Sequence, residues 1–417
     1  DGLLRIQARS TYEDKNMHHP LHDWTPDETS SSMTDRLSTA MKNIVGESGV
    51  VTKVALCAKQ NVRDAATAAL STFETPNSMP PDEMFRAPIW TTWARYKHGV
   101  DQRDVEAYAD QITSRDLPRS VMEIDDKWQI NYGDIKFDPV KFPRPKEMVD
   151  KLHAAGFKVT LWVMPFVEEK SEAYKEGKAK GYFVQTDGDA GLFHWWNTPM
   201  VAAIDLTNLD AVDWLTSRLR KLQAEDGIDG FKFDAGEPCF LPRRFRTLKP
   251  VVQPCDYTKL WVEKVASNFS FSEVRTGHHS HSSGVFTRMG DRFSTWSLSN
   301  GLKSLVPTLL TSGILGYPFC LPDMVGGNAY FGLRPDSELL IRWAQANALM
   351  PAVQFSIAPW DFSHDVSELC ISAVKLRENA ESRILKLAKD AKEALKPICR
   401  PMWWLDPEDE ETWTILD

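Results

Sequence analysis

The sequence predicts an α/β fold, a (β/α)8 barrel of parallel strands. Three observations predict it. From about residue 87 onward, short apolar runs rich in β-formers alternate with helical periods. Eight such runs can be read, the number that closes a parallel barrel. Several of them finish on charged residues, as barrel strands do at the C-terminal face, where the chemistry of this fold sits. A doubly wound sheet competes, but no GxGxxG follows a strand to support it.

Taken in order, residues 1–85 differ in character from the rest. Strands are expected at Leu3 to Ala8 and Val51 to Cys57, with a polar loop from His18 to Asp35 between them. A helix is expected from Asn61 to Phe73 and a linker from Pro76 to Pro81. Residues 86–398 carry the barrel. Its strands are expected at Ile89 to Ala94, Val121 to Asp125, Lys158 to Pro165, Ile228 to Asp234, Ser272 to Thr276, Phe286 to Met289, Ile314 to Leu321 and Ala352 to Phe355. Helices are expected at Val105 to Ser114, Pro145 to Ala155, Ala211 to Ala224, Lys259 to Ala266, Leu302 to Ser312 and Ser337 to Ala348. Thr207, with Asp210 three residues on, suits a helix start, and Gly156 suits a helix end. Val374 to Leu395 reads as a last helix. In residues 399–417, Thr412 to Leu416 reads as the first strand of a further, truncated domain.

The 417 residues carry a net charge of −9 and no basic run, which argues against nucleic acid or an anionic membrane as partner. No stretch has the length of a membrane span, and the N-terminus lacks a signal-peptide pattern. The chain begins with Asp and reads as processed or partial, so that lack carries no weight. Six cysteines are scattered without CxxC or zinc spacing. Cys239 and Cys255 share a loop and are near enough to pair, but free thiols are the preferred reading. Asn268-Phe269-Ser270 is a glycosylation sequon, relevant only in a secretory chain.

The chemistry centres on Gly230-Phe231-Lys232-Phe233-Asp234-Ala235-Gly236-Glu237. A helix with Val212, Leu215, Leu219 and Leu222 on one stripe feeds this strand. Lys232 and Asp234 point the same way, and a nearby cation holds a carboxylate ionised. A surface ion pair is the plainer account of the two. Other strand ends offer Glu123-Ile124-Asp125-Asp126, Arg275, Arg288-Met289-Gly290-Asp291-Arg292 and Pro322-Asp323. An acidic mouth holding arginines and a lysine suits a polyol or a metal. For a metal, His278, His279 and His281 lie close together, but no HExxH accompanies them, so neither metal nor cofactor is expected. Sugar cleavage needs one nucleophilic and one protonated carboxylate, and Asp234 and Asp291 fit by type and position. Fifteen tryptophans are consistent with sugar stacking but serve equally well as core.

From about Pro88 onward the chain resembles glycoside hydrolase family 31. The resemblance rests on Phe231 to Glu237, on Gly290-Asp291 with Trp296 five residues later, and on Pro322-Asp323-Met324-Val325-Gly326-Gly327. Asn131-Tyr132-Gly133-Asp134, Phe137-Asp138-Pro139 and Phe142-Pro143 belong to it too. It implies a TIM barrel flanked by β-domains, with residues 1–85 and 399–417 as partial flanking segments. It implies a retaining exo-α-glycosidase with Asp234 as nucleophile and Asp291 as general acid/base. Asp125, Arg275 and Asp323 match residues of the cleaved-side sugar subsite, and Lys232 matches a lysine of the branch that includes α-xylosidases. Trp162, Trp195 and Trp196 are candidate sugar-facing walls.

Two departures stand out. Arg288 replaces a tryptophan common three residues before the acid/base, and Gln354 to Ser356 replace a histidine region after the eighth strand. Both fall where the sugar is read and point away from glucose. The matching subgroup is similar to α-galactosidases in activity. The expected ligand is therefore an oligosaccharide or glycoside, and the resemblance to that subgroup implies an α-galactoside. The alternatives are an α-glucosidase or α-xylosidase, or a weakly catalytic glycan-binding or chaperone-like relative. Self-association is left open, and the family suggests the secretory pathway, the endoplasmic reticulum or Golgi lumen. Asp291 is expected to hold a proton, its carboxyl raised by the charge of Asp234. A separation of about 5 Å between the two carboxyls is expected of a retaining enzyme.

Overall fold

The computed structural model describes residues 7–10, 52–55 and 58–415. The expected loop from His18 to Asp35 lies outside the described residues. Of the first two expected strands, Gln7–Ser10 and Thr52–Ala55 are described, and they pair antiparallel with Gln7 opposite Ala55. The next helix is Val62–Leu70, whose N-terminus is capped by Asn61 Oδ1 accepting from the Asp64 amide at 2.9 Å.

The barrel is a curled sheet of nine parallel segments. They are β1 (Ile89–Thr91), β2 (Val121–Ile124), β3 (Lys158–Val163), β4 (Gly230–Phe233), β5 (Glu273–Val274), β6 (Phe286–Arg288), β7 (Cys320–Leu321), β8 (Met324–Val325) and β9 (Gln354–Phe355). Their order is β7-β6-β5-β4-β3-β2-β1-β9-β8. The two ends of this list, β7 and β8, are halves of one strand broken at Pro322 and Asp323. Joined through that break, eight strands close a barrel. Asp323 turns the chain at a positive φ of 66°, and its carboxylate packs against the Arg292 amide and the Asn328 side chain.

Alternation decides which residues face the barrel lumen. In β4, Phe231 and Phe233 face the outer helices, where Phe233 packs 5.3 Å from the Trp261 ring. Burying such a ring stabilises the fold by about 1.5–3 kcal/mol. Lys232 between them faces inward. Beyond β4, Gly236 has φ +94°, and a Cβ there would stand 2.5 Å from Trp261 Cδ1. Only glycine fits, so the loop carrying Asp234 is locked against the helical layer.

Helices separate the strands much as expected. Leu209–Asp226 buries Val212, Leu215, Leu219 and Leu222, the stripe read from the sequence. Its cap is Asn208 and not Thr207: Asn208 Oδ1 accepts from the Asp210 amide at 3.0 Å, while the Thr207 hydroxyl donates to Asp205 at 2.6 Å. Gly156 does follow the helix Pro145–Ala154, at φ +88°.

Several elements differ from expectation. The first strand stops at Thr91, because Trp93–Tyr96 turns into a helix. Ile314 ends the helix Leu305–Ile314 instead of opening a strand, and only Cys320–Leu321 is extended before the break. The segment predicted as a helix from Lys259 starts at Asp256 and passes through a π turn, Trp261–Val265. The last helix is longer than its apolar period suggested, His364–Ala394. Thr412 does not open a strand, since Glu410–Trp413 forms a 3-10 turn capped by Asp409. The sequence reading also missed a small antiparallel sheet between β3 and the helix Leu209–Asp226. There Thr198–Ala203 pairs with both Phe166–Glu168 and Leu192–Trp195, a hairpin that delivers Trp195 and Trp196 to the mouth. Among the described residues no helix is long and apolar enough to cross a membrane. The five described cysteines, Cys239 and Cys255 included, are free thiols.

Candidate active site

A cavity of about 240 Å³ opens at the C-terminal ends of the strands. Asp125, Lys232, Asp234, Arg275, Arg288, Asp291, Trp162, Trp195 and Trp196 all line it. Asp323 does not. It is fully buried behind the wall, where its Oδ2 accepts from the Arg292 amide and the Asn328 side chain, each at 2.7 Å. Its Oδ1 accepts from Arg288 at 3.3 Å. Asp323 thus fixes Arg288 and does not face a ligand.

Asp234 follows β4 directly. Its Oδ1 meets Arg275 at 3.3 Å and Arg288 at 3.2 Å, and its Oδ2 accepts from the Trp162 indole N–H at 3.0 Å. Burial opposes its charge, but the two guanidinium groups outweigh burial and hold the carboxyl below the usual range. The expected role of Lys232 is thereby corrected. Lys232 points across the lumen and donates to Asp125 at 2.8 Å and Glu123 at 3.0 Å, and its electrostatic effect on Asp234 is minor. Strand alternation set the direction of Lys232, but the partners came from β2, which local sequence does not contain.

Arg288 is the hub. Besides Asp234 and Asp323 it donates to Asp291 Oδ1 at 2.9 Å, and its Nε lies 3.5 Å from Glu273. One guanidinium therefore bridges Asp234 and Asp291. Arg275 is held in turn by a bidentate pair with Glu237 at 2.8 and 2.9 Å. The second oxygen of Asp291 accepts from the Tyr330 hydroxyl at 2.5 Å. Burial favours a protonated Asp291, yet Arg288, Arg275 and the Tyr330 hydrogen bond overcome it and push the carboxyl well below its ordinary value. The expectation of a raised Asp291 is overturned: the negative neighbour is present, but two cations between the acids dominate it.

Beneath the cavity lies a buried polar layer. Lys232, Glu123, Glu273, Arg288 and Gln354 meet in the lumen, with Gln354 donating to Glu123 and Glu273 at 3.2 Å each. Burial, aided by the Glu123 charge, pushes the Glu273 carboxyl up to about 8. Burial likewise lifts Asp125 to about 6 despite Lys232. Gln354 and Ser356 were expected to shape the sugar subsite, but neither lines the cavity. Ser356 instead accepts from the Ala94 amide at 2.6 Å. In the two-residue β9 only Gln354 faces the lumen, one layer below the cavity, while Phe355 points to the outer layer and stacks on Trp90.

The other wall is aromatic. Trp93, Trp196 and Tyr330 cluster with ring centroids 6.0–6.3 Å apart, and Lys97 sits over Trp93 at 4.5 Å. Trp196 is 47% exposed, so it is available for stacking. Sequence reasoning missed Trp93, Asp126, Phe240 and Tyr330 as lining residues. Asp126 stood in the acidic run after β2, a usable signal. Tyr330 lies on an irregular turn flanked by Ala329 at φ 51° and Phe331 at φ 55°, and no sequence period marks it. Among the described residues, no three His, Cys, Asp or Glu are grouped to hold a metal ion. His281 is instead stacked between Phe73 and Tyr317.

Comparison with known proteins agrees with this geometry. Residues 78–379 match the family model for the glycosyl hydrolases family 31 TIM-barrel domain. The chain is 41% identical over 354 residues to mouse myogenesis-regulating glycosidase, covering 82% of this chain and 49% of that protein. It is 28% identical over 353 residues to an alpha-xylosidase of Emericella nidulans, covering 78% and 43%. The chain thus spans about half the length of the curated relatives it matches. Among solved structures, a family 31 sulfoquinovosidase from E. rectale, in complex with an aza-sugar inhibitor, superposes with a TM-score of 0.76 at 20% identity. That match covers 88% of this chain and 58% of the other.

Proposed function

The chain belongs to glycosyl hydrolase family 31, and from that premise we propose that it is the catalytic barrel of a retaining exo-α-glycosidase. Its substrates are terminal α-linked sugars, with α-galactosides preferred. One observation carries the reading: Asp234 and Asp291 face one small cavity and are bridged by a single guanidinium. A cavity of about 240 Å³ is below the usual range for drug-sized ligands and suits one sugar ring, which supports exo cleavage.

In this mechanism Asp234, ionised by Arg275 and Arg288, attacks the anomeric carbon and forms a glycosyl ester. Asp291 gives its proton to the leaving oxygen and later takes one from water. Since the Asp291 carboxyl is held low in the unliganded chain, it must take up a proton from solvent as substrate binds. A glycoside oxygen between Asp291 and Arg288 would separate the two and let the carboxyl rise. Galactoside preference is supported by Arg288, which stands in the cavity where the family commonly has tryptophan, and by the likeness to a subgroup similar to α-galactosidases. The secretory lumen is the proposed compartment. The sequon residue Asn268 is exposed, with its side-chain nitrogen donating to the Lys264 carbonyl at 2.8 Å.

A second reading is a glycan-binding relative with little catalysis, favoured by the same ionised state of Asp291. Turnover of aryl α-galactoside and α-glucoside by the full-length protein, with product stereochemistry followed by NMR, separates the readings. Hydrolysis with retention and a faster galactoside is expected. An inverted product refutes the mechanism, a faster glucoside refutes the specificity, and binding without turnover leaves the second reading.

A further inference from the structure

Tyr330 reaches the cavity from a strained turn. It opens the turn Tyr330–Gly332, and both of its neighbours, Ala329 at φ 51° and Phe331 at φ 55°, lie in the left-handed region without being glycine. Such backbone is costly and persists only where the surroundings fix it, which is why it gathers at functional positions. Here the surroundings do fix it. The Ala329 amide donates to the Ser294 hydroxyl at 3.1 Å, and the Asn328 amide donates to the Arg292 carbonyl at 2.8 Å. The Lys97 ammonium donates to the Asn328 carbonyl and lies 5.0 Å from the centre of the Tyr330 ring. The Leu333 amide closes the turn on the Tyr330 carbonyl at 3.0 Å. The result is that Phe331 is 90% exposed, while Tyr330 lines the cavity and meets Asp291.

The two oxygens of Asp291 have different surroundings. Oδ1 accepts from Arg288 at 2.9 Å, and Oδ2 accepts from the Tyr330 hydroxyl at 2.5 Å. Arg288 is shared with Asp234 and Asp323, so it keeps partners when Oδ1 turns to a ligand. The Tyr330 hydroxyl, among the described residues, bonds only to Oδ2. Burial and the charges of Asp291, Asp323 and Asp234 hold its phenol far above the ordinary value, so it stays a donor.

We propose that Tyr330 is the positioning residue of the acid/base: it holds Asp291 by Oδ2 and so dedicates Oδ1 to proton exchange with the glycosidic oxygen. This rests on the glycosidase reading and adds to it which oxygen of Asp291 reacts and what aims it. In the first step the O–H bond on Oδ1 breaks as one forms on the leaving oxygen, whose bond to the anomeric carbon breaks as Asp234 attacks. In the second, water gives a proton to Oδ1 as its oxygen displaces Asp234 from the anomeric carbon. Oδ2 stays on Tyr330 throughout. A hydrogen bond to the ionised form favours that form, so Tyr330 also helps set the pH at which Asp291 loses its proton. Arg288, Arg275, Asp234, Asp323 and Lys97 act on the same carboxyl. Taking away one phenol hydroxyl leaves the charges of all five in place.

The test compares the full-length wild type with Tyr330→Phe, which removes the hydroxyl and keeps the ring. The substrates are the better of methyl α-galactoside and methyl α-glucoside, and the glycosyl fluoride of the same sugar. The methoxide leaving group needs a proton and the fluoride does not. Tyr330→Phe is expected to move the alkaline limb of kcat on the methyl glycoside up by about one pH unit, because the ionised acid has lost a donor. At the pH optimum, kcat/KM on the methyl glycoside should fall about tenfold or more, a part of what general acid catalysis contributes, and on the fluoride it should hold near wild type. A merely structural role lowers both substrates alike and leaves the limb in place, so the absence of either signature overturns the proposal. If Tyr330→Phe does not fold, 3-fluorotyrosine replacing Tyr330 decides. It keeps the shape and donates more strongly, so the limb should move down, and an unmoved limb overturns the proposal. A wild type that turns over neither sugar overturns the glycosidase reading and this proposal together, whereas wild-type turnover with an unmoved limb in the variant overturns this proposal alone.

Discussion

The two sides of the mouth are built on different principles. Around β4 to β6, every carboxylate oxygen facing the cavity is tied to a cation, an indole or a phenol. Around β1 and β2, the wall is aromatic, with Trp93 and Trp196 at the cavity and Asp126 held by the Tyr132 hydroxyl. The first side is set up for charge that changes during a reaction, since preorganised ionic groups stabilise such charge without rearranging. The second is suited to recognition, since flat rings offer apolar faces on which a sugar can stack. If the comparison is right, damage on the β4–β6 side should abolish chemistry or stability, and damage on the β1–β2 side should mainly weaken binding.

The largest effect is expected from the reacting pair. Asp234→Ala should remove activity on every α-glycoside tested. Asp291→Ala should spare substrates whose leaving group needs no proton, such as a glycosyl fluoride, and azide should partly restore it as a glycosyl azide of retained configuration. Equal loss on activated and unactivated substrates, with no azide rescue, would assign Asp291 to structure instead. Next comes the hub. Arg288→Met leaves Asp234, Asp291 and the fully buried Asp323 without their shared cation. Breaking a buried pair in this way costs about 3–5 kcal/mol, to be read as a loss in denaturant midpoint together with loss of turnover. A variant as stable as wild type would show that the carboxylates do not depend on Arg288.

A pH experiment sharpens the contrast within the barrel. Glu273 carries a folded value raised from 4.5 to about 8. Between those values the folded chain holds a proton that the unfolded chain has lost. The folded state then binds more protons, so stability from this group falls as pH rises through that window. Asp234 and Asp291, with lowered values, act in the opposite sense: their contribution is present above the unfolded carboxylate value and is lost on acidification. Glu273→Gln should therefore flatten the decline in melting temperature between pH 4.5 and 8, and leave the acid limb in place. An unchanged slope would show that Glu273 is ionised in the fold. The smallest effect belongs to the aromatic wall. Trp196→Ala removes a half-exposed indole and should raise KM several-fold, leave kcat near wild type and change stability by about 0.5 kcal/mol or less. A collapse of kcat would move Trp196 to the reactive side of the comparison.

Much of this was legible in the chain itself. The alternation of β-rich runs and helical periods is local, and it located all eight barrel strands and the stripe of Leu209–Asp226, although most strand ends were set too long. Charged residues at strand ends pointed to Asp234, Asp291, Arg275 and Arg288, which line the cavity, because the chemistry of such barrels sits at the C-terminal face. The partners of those groups were decided only by closure of the barrel. Lys232 is two residues from Asp234, yet it serves Asp125 and Glu123 on another strand. Asp323 turns away from the cavity because the seventh strand breaks there, and Asp291 is held ionised because Arg288 and Arg275 reach it through space. Hydrophobic period and strand propensity act over a few neighbours along the chain. Electrostatic and hydrogen-bond partners are chosen among residues tens to hundreds of positions apart, and only tertiary structure brings those together.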